Sequence, residues 1–201
     1  MTDKGGGSKY GKRMTGSPAS RVSPACRALI VLAVLAPAAC SPAHEGGRAA
    51  TGNALATDGT QSSGTVGNEH ARVGEIWYFA LPVPYNTSSK PIEIKGVAVE
   101  HIPSGIRVLE YGAYDLNDTE GLPLLAREGE SYTPEFAKLK NYVTHPVKVA
   151  AGKESNVFYL AKMKITAPPK DTLRECRFEY EQGGRAYTQT LDCELELKVS
   201  E

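Results

Sequence analysis

The stretch "RECRFEYEQGGRAYTQTLDCELELKV", Arg174 to Val199, decides the fold. On its first arm Cys176, Phe178 and Tyr180 alternate with Arg177, Glu179 and Glu181; on its second, Leu191, Cys193, Leu195 and Leu197 alternate with charged residues that include Glu194 and Glu196. A period of two sends one set to a buried sheet face and the other to water. The intervening "QGGR" supplies the turn, so two antiparallel strands are predicted. With Gly184 and Arg185 as the two-residue tip, Cys176 stands opposite Cys193 on the buried face. A disulfide between them is expected, closing a loop that the chain-entropy account values at roughly 3 kcal/mol. Such a bond needs an oxidising compartment.

Working outward, the same period recurs in "EIWYFALPVP" (Glu75 to Pro84), "IEIKGVAVEHI" (Ile92 to Ile102), "IRVLEYGAY" (Ile106 to Tyr114) and "NVFYLAKMKI" (Asn156 to Ile165). A shorter strand is expected over 146–149, giving about seven in all. "YNTSSKP", "PSG" and "APPKDT" carry the turn chemistry between them. Short strands with Gly/Pro turns and no strand–helix rhythm point to an all-β domain built as a single antiparallel sandwich. In "FALPVPYNTSSKPIEIKGVAVEHIPSGIRVL", Phe79 to Leu109, strand, polar turn, strand and "PSG" turn follow one another in a way that resembles immunoglobulin-like domains of small extracytoplasmic proteins. The resemblance implies an immunoglobulin-like β-sandwich. It departs from true immunoglobulin domains in that Cys176 and Cys193 are close in sequence and Trp77 precedes both.

The N-terminus reads as an address. Lys4, Lys9, Lys12, Arg13, Arg21 and Arg27 stand against one acid, Asp3, and an apolar run follows from Ala28 to Ala36. Basic residues before a short apolar stretch have the layout of a secretory signal, and the run is too short to cross a bilayer, which takes about 20 apolar residues. "PAAC" closes it: Ala38 and Ala39 before Cys40 resemble the lipobox of bacterial lipoproteins of the actinobacterial type, with Pro37 where the family usually has Leu. The resemblance implies that 1–39 is a signal peptide cut before Cys40. It further implies that Cys40 is acylated and that the protein is lipid-anchored in the cell membrane, on its extracytoplasmic face. Met14 offers an alternative start. Residues 40–68, rich in Gly, Ser, Thr and Ala, are expected to form a flexible tether, and 69–201 the β-sandwich domain.

Removing the signal changes the charge. The chain as a whole carries 23 basic and 23 acidic residues; loss of those six cations and Asp3 leaves 17 against 22. A net-acidic surface without a Lys/Arg run disfavours nucleic acid as a partner. The bilayer, through acylated Cys40, and an envelope or membrane protein are the expected partners.

Chemistry is sparse. Of the four histidines, His44 and His70 lie in or beside the expected tether, while His101 and His145 sit at turn edges. A copper or zinc site assembled from His101, His145 and Met163 is the alternative reading. "DLNDTEG", Asp115 to Gly121, fails the twelve-residue calcium-loop pattern, with Glu120 where Gly is needed and Ala126 where a bidentate Glu belongs. A hydrolase-type enzyme comes third, since no "GxSxG" elbow occurs. No cofactor and no catalytic residue are expected. The remaining irregular region runs from Asp115 to about His145. In it "TPEFAKLKNY" predicts a short helix capped by Thr133, with Phe136, Leu139 and Val143 on one face. Long loops in compact domains often carry function. That helix face either packs over an open end of the sandwich or belongs to a recognition surface, for which Tyr111, Tyr114, Tyr132, Phe136 and Tyr142 are the candidate residues; the expected activity is that of a binding module.

Overall fold

The computed structural model describes residues 49–200. Their strands are β1 (Ala50–Thr51), β2 (Thr65–Ala71), β3 (Ile76–Ala80), β4 (Tyr85–Asn86), β5 (Ile92–His101), β6 (Ile106–Asp115), β7 (Leu125–Arg127), β8 (Val147–Val149), β9 (Lys153–Glu154), β10 (Val157–Ile165), β11 (Leu173–Gln182) and β12 (Arg185–Val199). The domain is all-β. Its only helical elements among the described residues are one-turn 3-10 helices at Leu116–Asp118 and Phe136–Lys138.

Every strand predicted from the period of two is present, within a few residues of its expected ends. The larger sheet runs β12–β11–β5–β8, with the short β1 and β2 both laid parallel to β12; the second runs β6–β10–β3–β7, and β4 pairs with β9. Apart from β1 and β2 beside β12, the pairings are antiparallel. One apolar core is shared by the two large sheets. It takes Ile94, Phe178, Leu191 and Leu195 from the first and Trp77, Phe79, Ala161 and Met163 from the second. β10 is buried on both faces, from Phe158 through Ala161, because a second cluster covers its other side. That explains why "VFYLA" reads as a continuous apolar run where a one-sided strand would alternate.

The hairpin forms, with its faces as expected, but its tip is Gly183–Gly184 and Gln182 pairs with Arg185. Both tip glycines have positive φ, 58° and 77°, which a tight hairpin turn demands at its two central positions and which Arg185 would resist. From Cys176 to Gln182 the partner of each first-arm residue therefore moves by two, which preserves the faces, and Cys176 lies opposite Leu191. The disulfide is made nonetheless: Cys193 is the same-face diagonal neighbour, with a Cα–Cα distance of 5.9 Å, and both cysteines are fully buried. A bulge between Arg174 and Cys176 leaves Glu175 with a φ of 66° beside the bond.

The expected tether needs correction at its C-terminal part. Residues 49–68 belong to the fold, and the domain does not begin at residue 69. β1 and the first part of β2 lie there, and Ala54 and Leu55 are each 2 % exposed. Backbone pairing makes up for the missing large side chains: the Gly52 amide donates to Thr188 O at 2.7 Å and the Ala54 amide to the Tyr180 hydroxyl at 3.0 Å. Gln189 holds Leu55 by both backbone groups, accepting from its N–H at 3.0 Å and donating to its carbonyl at 2.7 Å. A Cβ on Gly52 would run into the Tyr180 hydroxyl, so this close approach requires glycine. The signal segment, Cys40 and the rest of the expected tether lie outside the described residues.

Candidate functional site

The outer face of the second sheet is where polar chemistry gathers. Glu110 on β6, Lys162 on β10 and Tyr78 on β3 are successive partners across the ladder, so one row of the sheet presents them side by side. Glu128, just past β7 and two residues beyond Ala126, the partner of Tyr78, reaches the row with its side chain. Its Oε1 lies 3.0 Å from Lys162 Nζ and accepts the Tyr78 hydroxyl at 2.9 Å, while Glu110 Oε1 is 3.6 Å from the same ammonium. Lys162 Nζ also stands 5.6 Å from the centre of the Tyr78 ring, within cation–π range.

The segment after β7 folds back over this row. The "TPEFAKLKNY" stretch forms one 3-10 turn in place of the expected helix, and Thr133 donates its hydroxyl to Arg127 O at 2.6 Å and caps nothing. A segment this short cannot sustain an α-helix on its own, and Asn141, Val143 and Pro146 are poor formers beyond it. Phe136 is nevertheless buried. Its ring meets Tyr78 at 4.7 Å and Tyr114 at 4.9 Å, tilted in both cases. Asn141 fixes the far end by accepting from the Ala113 and Val143 amides, each at 3.0 Å. Between these walls lies a cleft of about 350 Å3, lined by Tyr78, Tyr114, Glu128, Phe136, Asn141 and Lys162 among others.

The charge states in the cleft are firmly set. The hydrogen bond from Lys162, aided by that from Tyr78, outweighs burial and holds the Glu128 carboxyl below its ordinary range. The same contact raises Lys162. Burial, then the hydrogen bond to Glu128, pushes the Tyr78 phenol up, and burial does the same for Tyr114. At neutral pH the cleft therefore holds the Lys162 ammonium, the ionised Glu128 carboxylate and neutral phenols.

Of the expected surface residues, Tyr114 and Phe136 line the cleft and are 7 % and 5 % exposed. Tyr111 borders it too, but its hydroxyl accepts from the Val99 amide at 2.8 Å and so ties the two sheets together. Tyr142 packs against the main core with Lys140 Nζ 4.4 Å from its ring centre. Tyr132 is 69 % exposed and stands outside the cleft. Tyr78, Glu128 and Lys162 were not expected there. The alternation in "EIWYFA" does put Tyr78 on the face opposite Trp77, but nothing in that stretch reveals that both faces are covered.

The residues of the metal alternative are kept apart. His101 hydrogen-bonds Asp171 at 3.2 Å at the far end of β5, His145 contacts Thr144 just before β8, and Met163 is buried in the core. Val147 pairs with Ile94, and at about 3.3 Å per residue His101 is some 20 Å further along β5. Among the described residues no three His, Cys, Asp or Glu side chains converge on a metal position. Asp115 caps its 3-10 turn, accepting from the Asn117 amide at 2.9 Å.

No family model matches the chain, and no curated protein matches it. Among solved structures, that of the VesB protease of Vibrio cholerae matches with 12% identity over 71% of this chain and 32% of that one, at a TM-score of 0.32. The chain thus spans about a third of that protease's length, and a superposition of this quality carries no functional argument.

Proposed function

We propose that this protein is an extracytoplasmic lipoprotein, held on the membrane by acylated Cys40, whose domain is an immunoglobulin-like β-sandwich that works as a binding module. The observation that carries the reading is the buried Cys176–Cys193 disulfide, because a bond of this kind forms and persists in an oxidising compartment, which is where the signal-like segment before Cys40 would deliver the chain. Two sheets sharing one core support the sandwich. The cleft supports binding over acid–base catalysis. A proton-transfer group works best with its pKa near neutrality, whereas Lys162 and Tyr78 are raised and Glu128 is lowered, each away from it. An envelope or membrane protein is the partner class that such an anchored module would meet.

The test is cell fractionation. Wild-type protein should pellet with membranes and be released by detergent, and Cys40→Ser should leave the membrane fraction. Equal membrane retention of the variant and the wild type would remove the lipid anchor from the account.

A further inference from the structure

We infer that the cleft between Phe136 and the outer face of the second sheet is a binding site for a neutral sugar ring. The inference rests on the binding-module reading and gives it a ligand class. Three observations carry it, beginning with the balance of charge. Lys162 faces both Glu128 and Glu110, so an anionic ligand would meet two carboxylates and a cationic one would have to displace Lys162 from them. A neutral ligand avoids both costs.

The second observation is the inventory of unused hydrogen-bonding groups. Tyr114 is 7 % exposed and lines the cleft, yet its hydroxyl has no hydrogen-bond partner among the described residues. The hydroxyl is not sealed in the core but open to the cleft, where a ligand can reach it. Glu128 uses Oε1 for both Lys162 and Tyr78, which leaves Oε2 to accept. Asn141 spends its carbonyl oxygen on Ala113 and Val143, which leaves its NH2 to donate. A ligand that satisfies such a mixture must both donate and accept at neighbouring atoms, and hydroxyl groups do this without carrying charge.

The third observation is shape. Tyr78 and Tyr114 pack against Phe136, with centroids 4.7 and 4.9 Å away, and the narrow ring surfaces that this packing leaves uncovered form the apolar part of the cleft wall. These surfaces suit the apolar C–H side of a sugar ring while its hydroxyls reach the polar groups. The volume of about 350 Å3 lies near the bottom of the range for small-molecule sites, roughly 300 to 1,000 Å3, so one ring enters and a second would sit at the mouth.

The experiment is an NMR titration of the mature protein with cellobiose, maltose and N,N′-diacetylchitobiose, with glucuronate and glucosamine as charged controls. At least one neutral disaccharide should move the amide signals of Tyr78, Tyr114, Phe136 and Lys162, with a Kd on the order of 1 mM. Tyr114→Phe keeps the ring and removes the hydroxyl, and should weaken that binding about fivefold, the loss of one hydrogen bond. The inference is overturned if none of the three neutral sugars moves these signals, if a charged control binds there as tightly as the best neutral one, or if Tyr114→Phe binds unchanged. None of those results alters the fractionation of Cys40→Ser, so the two readings fail separately.

Discussion

Glu128 shows how a single residue fixes the state of its surroundings. It receives hydrogen bonds from a lysine and a tyrosine on two different strands, and these lower its pKa below the ordinary 4.5. A carboxyl depressed in this way contributes stability that is present above its unfolded value and is lost as pH falls through the lower folded value. Glu75 shifts in the same direction: burial raises it, but hydrogen bonds from Arg127, the Arg72 amide and Trp77 prevail. Acid should therefore destabilise the fold below about pH 4.5, and Glu128→Gln should make that limb shallower. Urea denaturation at a series of pH values checks this, and an unchanged limb in the variant would mean that folding does not lower the Glu128 pKa.

Among the elements, β11 and β12 carry the clearest lesson. Their faces were legible because charged and apolar residues alternate without interruption from Cys176 to Glu181 and from Leu191 to Leu197. Their register was less so, since a shift by two leaves every face unchanged and only the conformational demand of the Gly183–Gly184 tip settles it. The β1 segment escaped detection for another reason: it is held by backbone bonds to Thr188, Tyr180 and Gln189, and composition does not report those. The cleft was half legible. Tyr114 and Phe136 announce themselves as aromatics near a long loop, whereas Lys162 looks like any exposed position on an alternating strand until the loop closes over it. The bond between β11 and β12 gives an element-scale test. Replacing Cys176 and Cys193 together by Ala should lower the unfolding free energy by about 3 kcal/mol, read from urea denaturation. A loss near zero would mean that the bond adds nothing to what the strand pairing already provides.

At the scale of the whole molecule, sequence and structure divide the problem between them. The domain supplies a stapled core and a cleft in which one lysine faces two carboxylates; the chain before it carries the proposed address. Because the fold already includes β1 at Ala50, the segment available between Cys40 and the first strand is far shorter than the 40–68 tether expected from composition. The acidic balance of the chain from Cys40 onward, 17 basic against 22 acidic residues, keeps nucleic acid an unsuitable partner for the surface as a whole. The most direct measurement is the intact mass of the protein purified from membranes of its native host. The expected result is a chain that begins at Cys40, heavier by two or three acyl groups and lighter by two hydrogens for the Cys176–Cys193 bond. An unacylated chain cut elsewhere, or one that retains Arg27 to Leu35 or carries both cysteines as thiols, would contradict the account.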